Sequence, residues 1–155
     1  MKKNLEEKSH VNFKNTFNPH YKKVLEKINE EGFCPFCENN FTKYHPKKIH
    51  FKTKYWIITD NGWPYKGTKK HLLMVYRPGH ICHIEDLSNE AVLDKFEVEK
   101  KLCKKYKIKG GSILMRFGSS HETGASVEHL HFHIITPNKK SKDYDPKNGV
   151  IVRVG

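Results

Sequence analysis

Three histidines alternate with apolar residues in the run HLHFHII at residues 129–135. Successive side chains of a β-strand point to opposite faces of its sheet, so this run predicts a strand with one apolar face and one face of imidazoles. The apolar face can pack on a core. The imidazole face must meet solvent, a metal ion or an anion, and this requirement constrains the fold more than any other part of the sequence.

The imidazole face permits three interpretations. One is an ordinary polar strand surface, although three histidines at a spacing of two seldom arise by chance. A second is a metal site, because imidazoles from one strand can supply nitrogen ligands to zinc. A third is a nucleophile, because a neutral imidazole can attack phosphorus when an acceptor holds its other nitrogen.

The residues just before the strand, Gly124, Ala125 and Ser126, favour the nucleophile. Glycine lets the backbone approach a phosphate closely, and backbone N–H groups together with the Ser126 hydroxyl can hold anionic oxygens. A phosphate held beside an imidazole is the arrangement that an in-line displacement requires.

The remaining sequence predicts helices and strands around this site. Helix-start and helix-stop residues bound a short N-terminal helix at 18–32, and an apolar pattern predicts a long helix over 88–106. We expect a loop at 118–126 and strands at 51–59, 71–76, 112–117, 129–136 and 150–154. Strands and helices do not alternate regularly, so we predict an α+β fold.

A chain of 155 residues predicts one domain, which we place at residues 18–155 after a polar N-terminal extension at residues 1–17. The sequence has neither an apolar run of about 20 residues nor a secretory signal, so we expect a soluble cytoplasmic protein without a membrane partner. The net charge of +12 is compatible with nucleotides, nucleic acid or an acidic membrane surface. A lysine-rich solvated surface is the simpler explanation.

The run GASVEHLHFHII resembles the histidine-triad (HIT) superfamily, and residues 61–88 look like the segment that leads into the long helix of that family. The resemblance covers about residues 33–137. It implies a HIT-like fold, with an antiparallel sheet of about five strands, a long helix and a shorter N-terminal helix. It also implies that the middle triad histidine, His131, is the nucleophile.

The same resemblance implies roles for the surrounding residues. His133 and Ser126 would contact phosphate oxygens, and His71 would be an additional active-site histidine on a neighbouring strand. Asn61 would contact the nucleoside, and Gly124 would let the phosphate approach the backbone.

The implied activity is cleavage at the α-phosphate of a nucleoside polyphosphate or phosphoramidate through a nucleotidyl-histidine intermediate. Ala125 stands where many hydrolase branches carry glutamine, and this departure makes the chain similar to the phosphorylase and nucleotidyltransferase branches. Both a hydrolase and a phosphorylase of diadenosine polyphosphates therefore stay open. Two alternatives are removal of nucleotidyl groups from nucleic-acid ends and a non-catalytic nucleotide-binding module. The net charge fits the first alternative, but only 18 residues follow Pro137, too few for a zinc-finger domain after the triad, so nucleic acid is not the favoured partner. Family members are commonly homodimers.

The segment CPFC at residues 34–37 is a second motif. Two thiolates in one turn suit a tetrahedral zinc ion, whereas a redox pair would be expected within a thioredoxin-like βαβ pattern, which is missing. His45 and His50 are rival ligands for the two other positions, but their spacing is poor for a two-cysteine, two-histidine finger.

Zinc-bearing histidine-triad proteins resemble this chain in having such a cysteine pair, a histidine before the long helix and the first triad histidine. The resemblance implies zinc ligands at Cys34, Cys37, His80 and His129, with His83 as the substitute for His80. Four protein ligands close the coordination sphere, so the zinc would be structural. The other two cysteines, Cys82 and Cys103, are expected to be partly buried thiols.

Overall fold

A five-stranded antiparallel sheet carries the histidine strand next to one of its edges. The computed structural model describes residues 9–155, so the first eight residues of the predicted extension lie outside the described residues. The strands are β1 (Ile49–Lys52), β2 (Trp56–Asp60), β3 (Thr68–Tyr76), β4 (Ser112–Arg116) and β5 (His131–Pro137). Their order in the sheet is β1-β2-β3-β5-β4. The predicted α+β fold with an antiparallel sheet of about five strands is confirmed.

Four α-helices accompany the sheet within the described residues: α1 (Pro19–Glu31), α2 (Glu38–Tyr44), α3 (Asn89–Lys105) and α4 (Ser120–Thr123). The Asn18 side chain accepts hydrogen bonds from two N–H groups of the first turn of α1, and Gly32 ends the helix at a φ of 69°. The Ser88 hydroxyl caps α3 in the same way. These caps place both predicted helices within a residue or two of their expected ends. None of the helices in the described part of the chain has the length and apolar character needed to cross a lipid bilayer.

The alternation along β5 separates its two faces as predicted. Leu130, Phe132 and Ile134 are buried in the main core, where they meet the inward face of α3. The rings of His131 and His133 lie on the opposite face of the sheet. That face is covered partly by α2, whose Phe41 packs with residues of β2 and β3. One strand thus contributes to the core and to the site at alternate positions.

The strand prediction was wrong in two places. The predicted strand at residues 51–59 is a hairpin of β1 and β2, because the Thr53 hydroxyl accepts hydrogen bonds from the N–H groups of Tyr55 and Trp56 and so forms a turn. Residues 150–154 form no strand and instead run along the protein surface in irregular conformation. The short helices α2 and α4 were not predicted, and α4 occupies part of the predicted loop at 118–126.

The N-terminal segment packs on the same body from Ser9 onward. Val11 is buried with residues of α1 and forms an antiparallel bridge with Val127, just before β5. The side-chain amide of Asn15 donates to the carbonyl oxygens of Ser120 and Ala125, each at 2.8 Å. This segment therefore supports the loop that precedes the histidine strand, and the domain boundary at residue 18 stays a prediction.

Candidate active site and metal cluster

His131 is held in one tautomer by its own strand. Its Nδ1 lies 2.5 Å from the carbonyl oxygen of His129, and a carbonyl can only accept, so Nδ1 carries the proton. The other ring nitrogen, Nε2, therefore has a lone pair. Burial lowers the pKa of His131 to about 4, so the ring is neutral at pH 7. A neutral buried imidazole with an available nitrogen has the properties required of a nucleophile.

A chain of hydrogen bonds fixes the tautomer of His133. The backbone N–H of Tyr65 donates to Nδ1 of His71 at 3.2 Å, so the proton of the His71 ring is on Nε2. Two groups lie near this Nε2: Nδ1 of His133 at 2.9 Å and the side-chain nitrogen of Asn61 at 3.2 Å. The amide nitrogen cannot accept, so the N–H donates to Nδ1 of His133, and the proton of His133 is on its own Nε2. Burial lowers the pKa of His71 to about 4 and that of His133 well below its usual value, so both rings are neutral.

The Nε2 atom of His133 is buried without a hydrogen-bond partner among the described residues. A buried N–H donor without a partner is unfavourable by about 1–3 kcal/mol. An anionic oxygen entering the cavity in front of His133 would supply the acceptor. The position of this donor next to His131 therefore fits a phosphate group held beside the nucleophile.

The loop before β5 is fixed from both sides. Gly124 ends α4 at a φ of 69°, a backbone conformation that residues other than glycine rarely adopt. The Ser126 hydroxyl lies 3.1 Å from the Tyr21 hydroxyl of α1, and the Glu128 carboxylate accepts from the Ser120 N–H at 2.6 Å. The predicted phosphate-holding residues are thus positioned by helices on two sides.

A cavity of about 520 Å³ opens in front of these residues. Five of the six residues predicted to act on the substrate line it: Asn61, Gly124, Ser126, His131 and His133. The sixth, His71, lies behind His133 and contacts it through the hydrogen bond described above. The side-chain amide of Asn61 accepts from the Trp63 N–H at 2.7 Å, which fixes the loop after β2. Trp63 in turn stacks on Tyr21 with ring centroids 4.0 Å apart and forms an aromatic wall.

Arg116 belongs to the site although sequence reasoning missed it. It is the last residue of β4 and pairs directly with His131 of β5. Residues opposite each other in antiparallel strands point to the same face, so the guanidinium lies beside the nucleophile and lines the cavity. Its place at the end of a predicted strand was visible in the sequence, but the pairing partner of that strand was not.

The four predicted metal ligands come together at the other end of the histidine strand. The ligand atoms of Cys34, Cys37, His80 and His129 all lie within 4.8 Å of one another. Nδ1 of His129 is 3.4 Å from Sγ of Cys34, and Nδ1 of His80 is 3.7 Å from Sγ of Cys37. Within the described residues, no other group of histidine, cysteine and acidic side chains has this geometry.

The rival histidines have other contacts. His45 lies 2.9 Å from the Thr59 hydroxyl, and His50 lies 3.0 Å from the Asp60 carboxylate. His83, the substitute for His80, points toward Glu85. The structure therefore brings together the set that the resemblance implied.

The donor set of the cluster fits a tetrahedral zinc ion. The Nε2–H of His129 donates to the Tyr76 carbonyl oxygen at 2.7 Å, so Nδ1 is unprotonated and faces the two sulfur atoms. Burial raises the pKa of Cys34 to about 12, and a bound cation would be needed to keep this sulfur a thiolate at neutral pH. Two sulfur and two imidazole donors are typical of zinc.

Of the two other cysteines, Cys82 is partly buried as expected and Cys103 is exposed. The prediction for Cys103 was wrong, because the buried face of α3 passes through Leu102, and the next residue is turned about 100° away from it.

Comparison with known proteins agrees with this geometry. The family model described as HIT domain matches residues 44–140, which is more than half of the chain. Among solved structures, a HIT family hydrolase from Clostridium thermocellum has a TM-score of 0.54 at 19% identity, covering 70% of this chain and 93% of its own. A histidine triad protein from Clostridium difficile has a TM-score of 0.53 at 23% identity, covering 72% and 96%.

A third solved structure is described as a zinc-bound histidine triad family protein from Mycobacterium smegmatis. It has a TM-score of 0.53 at 18% identity and covers 73% of this chain and 83% of its own. The comparison with curated proteins found no match. At these identities the solved structures establish the fold.

Proposed function

The chain belongs to the HIT domain family, and from this membership and the site geometry we propose that it is an enzyme that cleaves nucleotides at the α-phosphate through a nucleotidyl-His131 intermediate. The observation that carries the proposal is the pair of adjacent buried imidazoles with opposite tautomers. His131 offers a lone pair on Nε2, while His133 offers an N–H donor on Nε2. One ring can attack phosphorus, and the other can hold an oxygen of the same phosphate.

In the first step, Nε2 of His131 forms a bond to the α-phosphorus, and the bond from phosphorus to the leaving group breaks. The electron pair of that bond goes to the leaving group. The nucleotidylated ring retains its Nδ1–H and gains positive charge, which the His129 carbonyl oxygen stabilises through the 2.5 Å hydrogen bond. In the second step, an oxygen of water or inorganic phosphate forms a bond to phosphorus, and the bond from phosphorus to Nε2 breaks. The electron pair of that bond returns to Nε2 as the lone pair, and when water attacks, its proton is released to solvent.

The remaining donors act on the phosphate oxygens. The Nε2–H of His133, the Ser126 hydroxyl and the backbone at Gly124 all line the cavity around His131. Donors fixed before the reaction stabilise the charge of a five-coordinate phosphorus without reorganisation. Asn61, beside the aromatic wall of Trp63 and Tyr21, lies where a nucleoside would contact the protein.

The same proposal includes a zinc ion held by Cys34, Cys37, His80 and His129. Four protein ligands leave no open position, so the ion would act as a structural link that joins the N-terminal cysteine turn to the histidine strand. His129 lies two residues before the first residue of β5, and fixing its ring also fixes the carbonyl oxygen that orients His131.

The test is incubation with diadenosine tri- and tetraphosphate, with and without inorganic phosphate, followed by chromatography of the products. A hydrolase releases AMP without added phosphate, whereas a phosphorylase releases ADP only when phosphate is present. His131→Ala should lose turnover, and the matched control His20→Ala, an exposed histidine of α1, should keep it. Full activity in His131→Ala contradicts the proposed nucleophile.

Nucleotidylated nucleic-acid ends are the second candidate substrate, favoured by the net charge of +12. If neither dinucleotide is turned over, an adenylated DNA end should be tested at two salt concentrations. Turnover of that end, abolished in His131→Ala, would move the assignment to this candidate.

A further inference from the structure

Arg116 is a fixed cation at the site whose known partners are all uncharged. Its Nε donates to the Thr123 carbonyl at 3.2 Å, one terminal nitrogen to the Tyr65 hydroxyl at 3.1 Å, and the other to the Arg153 carbonyl at 2.8 Å. A guanidinium has five N–H donors, so donors remain for a ligand. The partners therefore orient the group beside His131 without neutralising it.

Arg153 adds a second cation at the mouth of the cavity. Its guanidinium lies over the ring of Phe17, with 4.0 Å between the guanidinium carbon and the ring centroid. Phe17 is 73% exposed, so this stacking joins the N-terminal and C-terminal segments at the rim of the site. Both residues lie outside residues 44–140, which the HIT domain model matches. The family match therefore does not include this contact.

The charged side chains that line the cavity are all cationic. Three of its lining residues, Lys66, Arg116 and Arg153, carry positive charge, and no aspartate or glutamate of the described residues lines it. A half-buried cation is usually matched by an anion, because removing it from water is otherwise unfavourable. A phosphate-bearing substrate would supply the matching negative charge.

The α-phosphate alone does not account for these cations, since His133, Ser126 and the loop backbone already supply its donors. Building on the proposed function, we propose that Arg116 and Arg153 form a subsite for the phosphate groups beyond the one attacked by His131. Arg116 takes the phosphate next to the scissile bond, and Arg153 takes the following part of the chain at the rim. The preferred leaving group is therefore a phosphate chain.

This subsite favours a leaving group that departs with negative charge and needs no proton. When the P–O bond of a phosphoanhydride breaks, its electron pair stays on the leaving oxygen, and the added negative charge faces the guanidinium of Arg116. An amine that leaves a phosphoramidate must gain a proton, and a neighbouring cation gives it no such help. The site should consequently favour phosphoanhydrides over phosphoramidates of the same nucleoside.

The first test is a series of binding measurements that needs no turnover. Dissociation constants of AMP, ADP and ATP are measured by calorimetry on His131→Ala, which removes the nucleophile. Hydrogen bonds to charged groups contribute enough for roughly tenfold tighter binding per added phosphate. Adding Arg116→Gln should remove most of the gain in affinity from AMP to ADP. Adding Arg153→Gln should remove most of the gain in affinity from ADP to ATP. Equal affinities for AMP and ATP before these changes would overturn the proposal.

Two variants keep the result interpretable. Lys104→Gln removes one positive charge at an exposed position of α3, on the other face of the sheet. It should keep the gain in affinity for each added phosphate. If it removes these gains as well, long-range charge explains the effect and the subsite is refuted. Arg153 is exposed at the rim, so Arg153→Gln should fold even if Arg116→Gln does not. If Arg153→Gln leaves the affinities for AMP, ADP and ATP unchanged, the outer part of the subsite, at Arg153, is refuted. Arg116→Lys, which keeps the charge, tests the inner part of the subsite, at Arg116.

A kinetic comparison separates this inference from the proposed function. With the wild-type chain, kcat/KM is measured for diadenosine triphosphate and for adenosine 5′-phosphoramidate. Arg116→Gln should lower the ratio of the two values by roughly tenfold or more. An unchanged ratio with both activities present refutes the subsite alone. Absence of both activities with an intact affinity series refutes the nucleotidyl-histidine enzyme and leaves the subsite standing.

Discussion

Replacing His71 tests whether hydrogen bonding sets the tautomer of His133. His71→Ala removes the donor that lies 2.9 Å from Nδ1 of His133, and both rings are buried. A hydrogen bond between neutral groups contributes about 0.5–1.5 kcal/mol, so the preference for the Nε2–H tautomer should fall roughly twofold to tenfold. Only that tautomer donates to the phosphate, and about half of the rings still have it when the two nitrogens share the proton, so the kcat/KM value should fall roughly twofold.

His71→Gln is the matched variant, since a glutamine amide N–H can occupy the place of the Nε2–H of His71. It should keep most of kcat/KM and the tautomer of His133. The alanine variant also leaves the Tyr65 N–H without its acceptor, which should lower the free energy of unfolding by about 1–3 kcal/mol. Thermal denaturation measures that loss separately.

The decisive measurement is ¹⁵N NMR of the histidine rings, with His133 assigned by comparison with His133→Gln. In the wild type, Nε2 should be the protonated nitrogen of His133, and in His71→Ala the two nitrogens should share the proton. If His133 keeps its Nε2–H in His71→Ala, or if alanine and glutamine lower kcat/KM equally, the tautomer chain is refuted.

Three further predictions concern the nucleophile, the metal and the assembly. Since burial lowers the pKa of His131 to about 4, its lone pair is present above that pH, and kcat/KM should stay level from pH 8 to 6 and fall only near pH 4; a fall centred near pH 6.5 contradicts this. Elemental analysis should find one zinc per chain, lost with a lower Tm in Cys34→Ser and kept in Cys103→Ser, whereas a metal-free native protein refutes the zinc. Light scattering should show a homodimer that Ile113→Lys disrupts, because the edge strand β4 and helix α3 expose Ile113 (52%) and Phe96 (54%) on the same side of the sheet; a wild-type monomer excludes it.

Local patterns predicted the elements that local rules determine. The period of two around His131 predicted which residues of β5 face the site and which face the core, because pleating alone decides this. Asn18 and Gly32 predicted the ends of α1, since capping depends on neighbouring backbone groups. The metal cluster depends on contacts between distant segments, and only the family resemblance pointed to His80 and His129.

The features that the sequence did not predict have different physical causes. The turn between β1 and β2 has no glycine or proline and depends on one threonine hydroxyl. The aromatic and β-branched residues around it therefore predicted one continuous strand. The apolar residues at 150–154 resemble a strand, but the segment contacts Arg116 instead of joining the sheet. Arg116 itself was missed because its role depends on the pairing of β4 with β5. The register of two strands joined by a loop and a short helix is a tertiary property.

His129 contributes to two sites through different atoms. Its ring faces the cysteine pair, and its carbonyl oxygen accepts a hydrogen bond from Nδ1–H of His131. If zinc and nucleotide bind as proposed, the two binding equilibria are linked, because each ligand fixes the same residue. Thermodynamic reciprocity requires that, if a bound metal tightens nucleotide binding by some factor, a bound nucleotide tightens metal binding by the same factor. A metal described as structural would then also report, through its own affinity, whether substrate is bound.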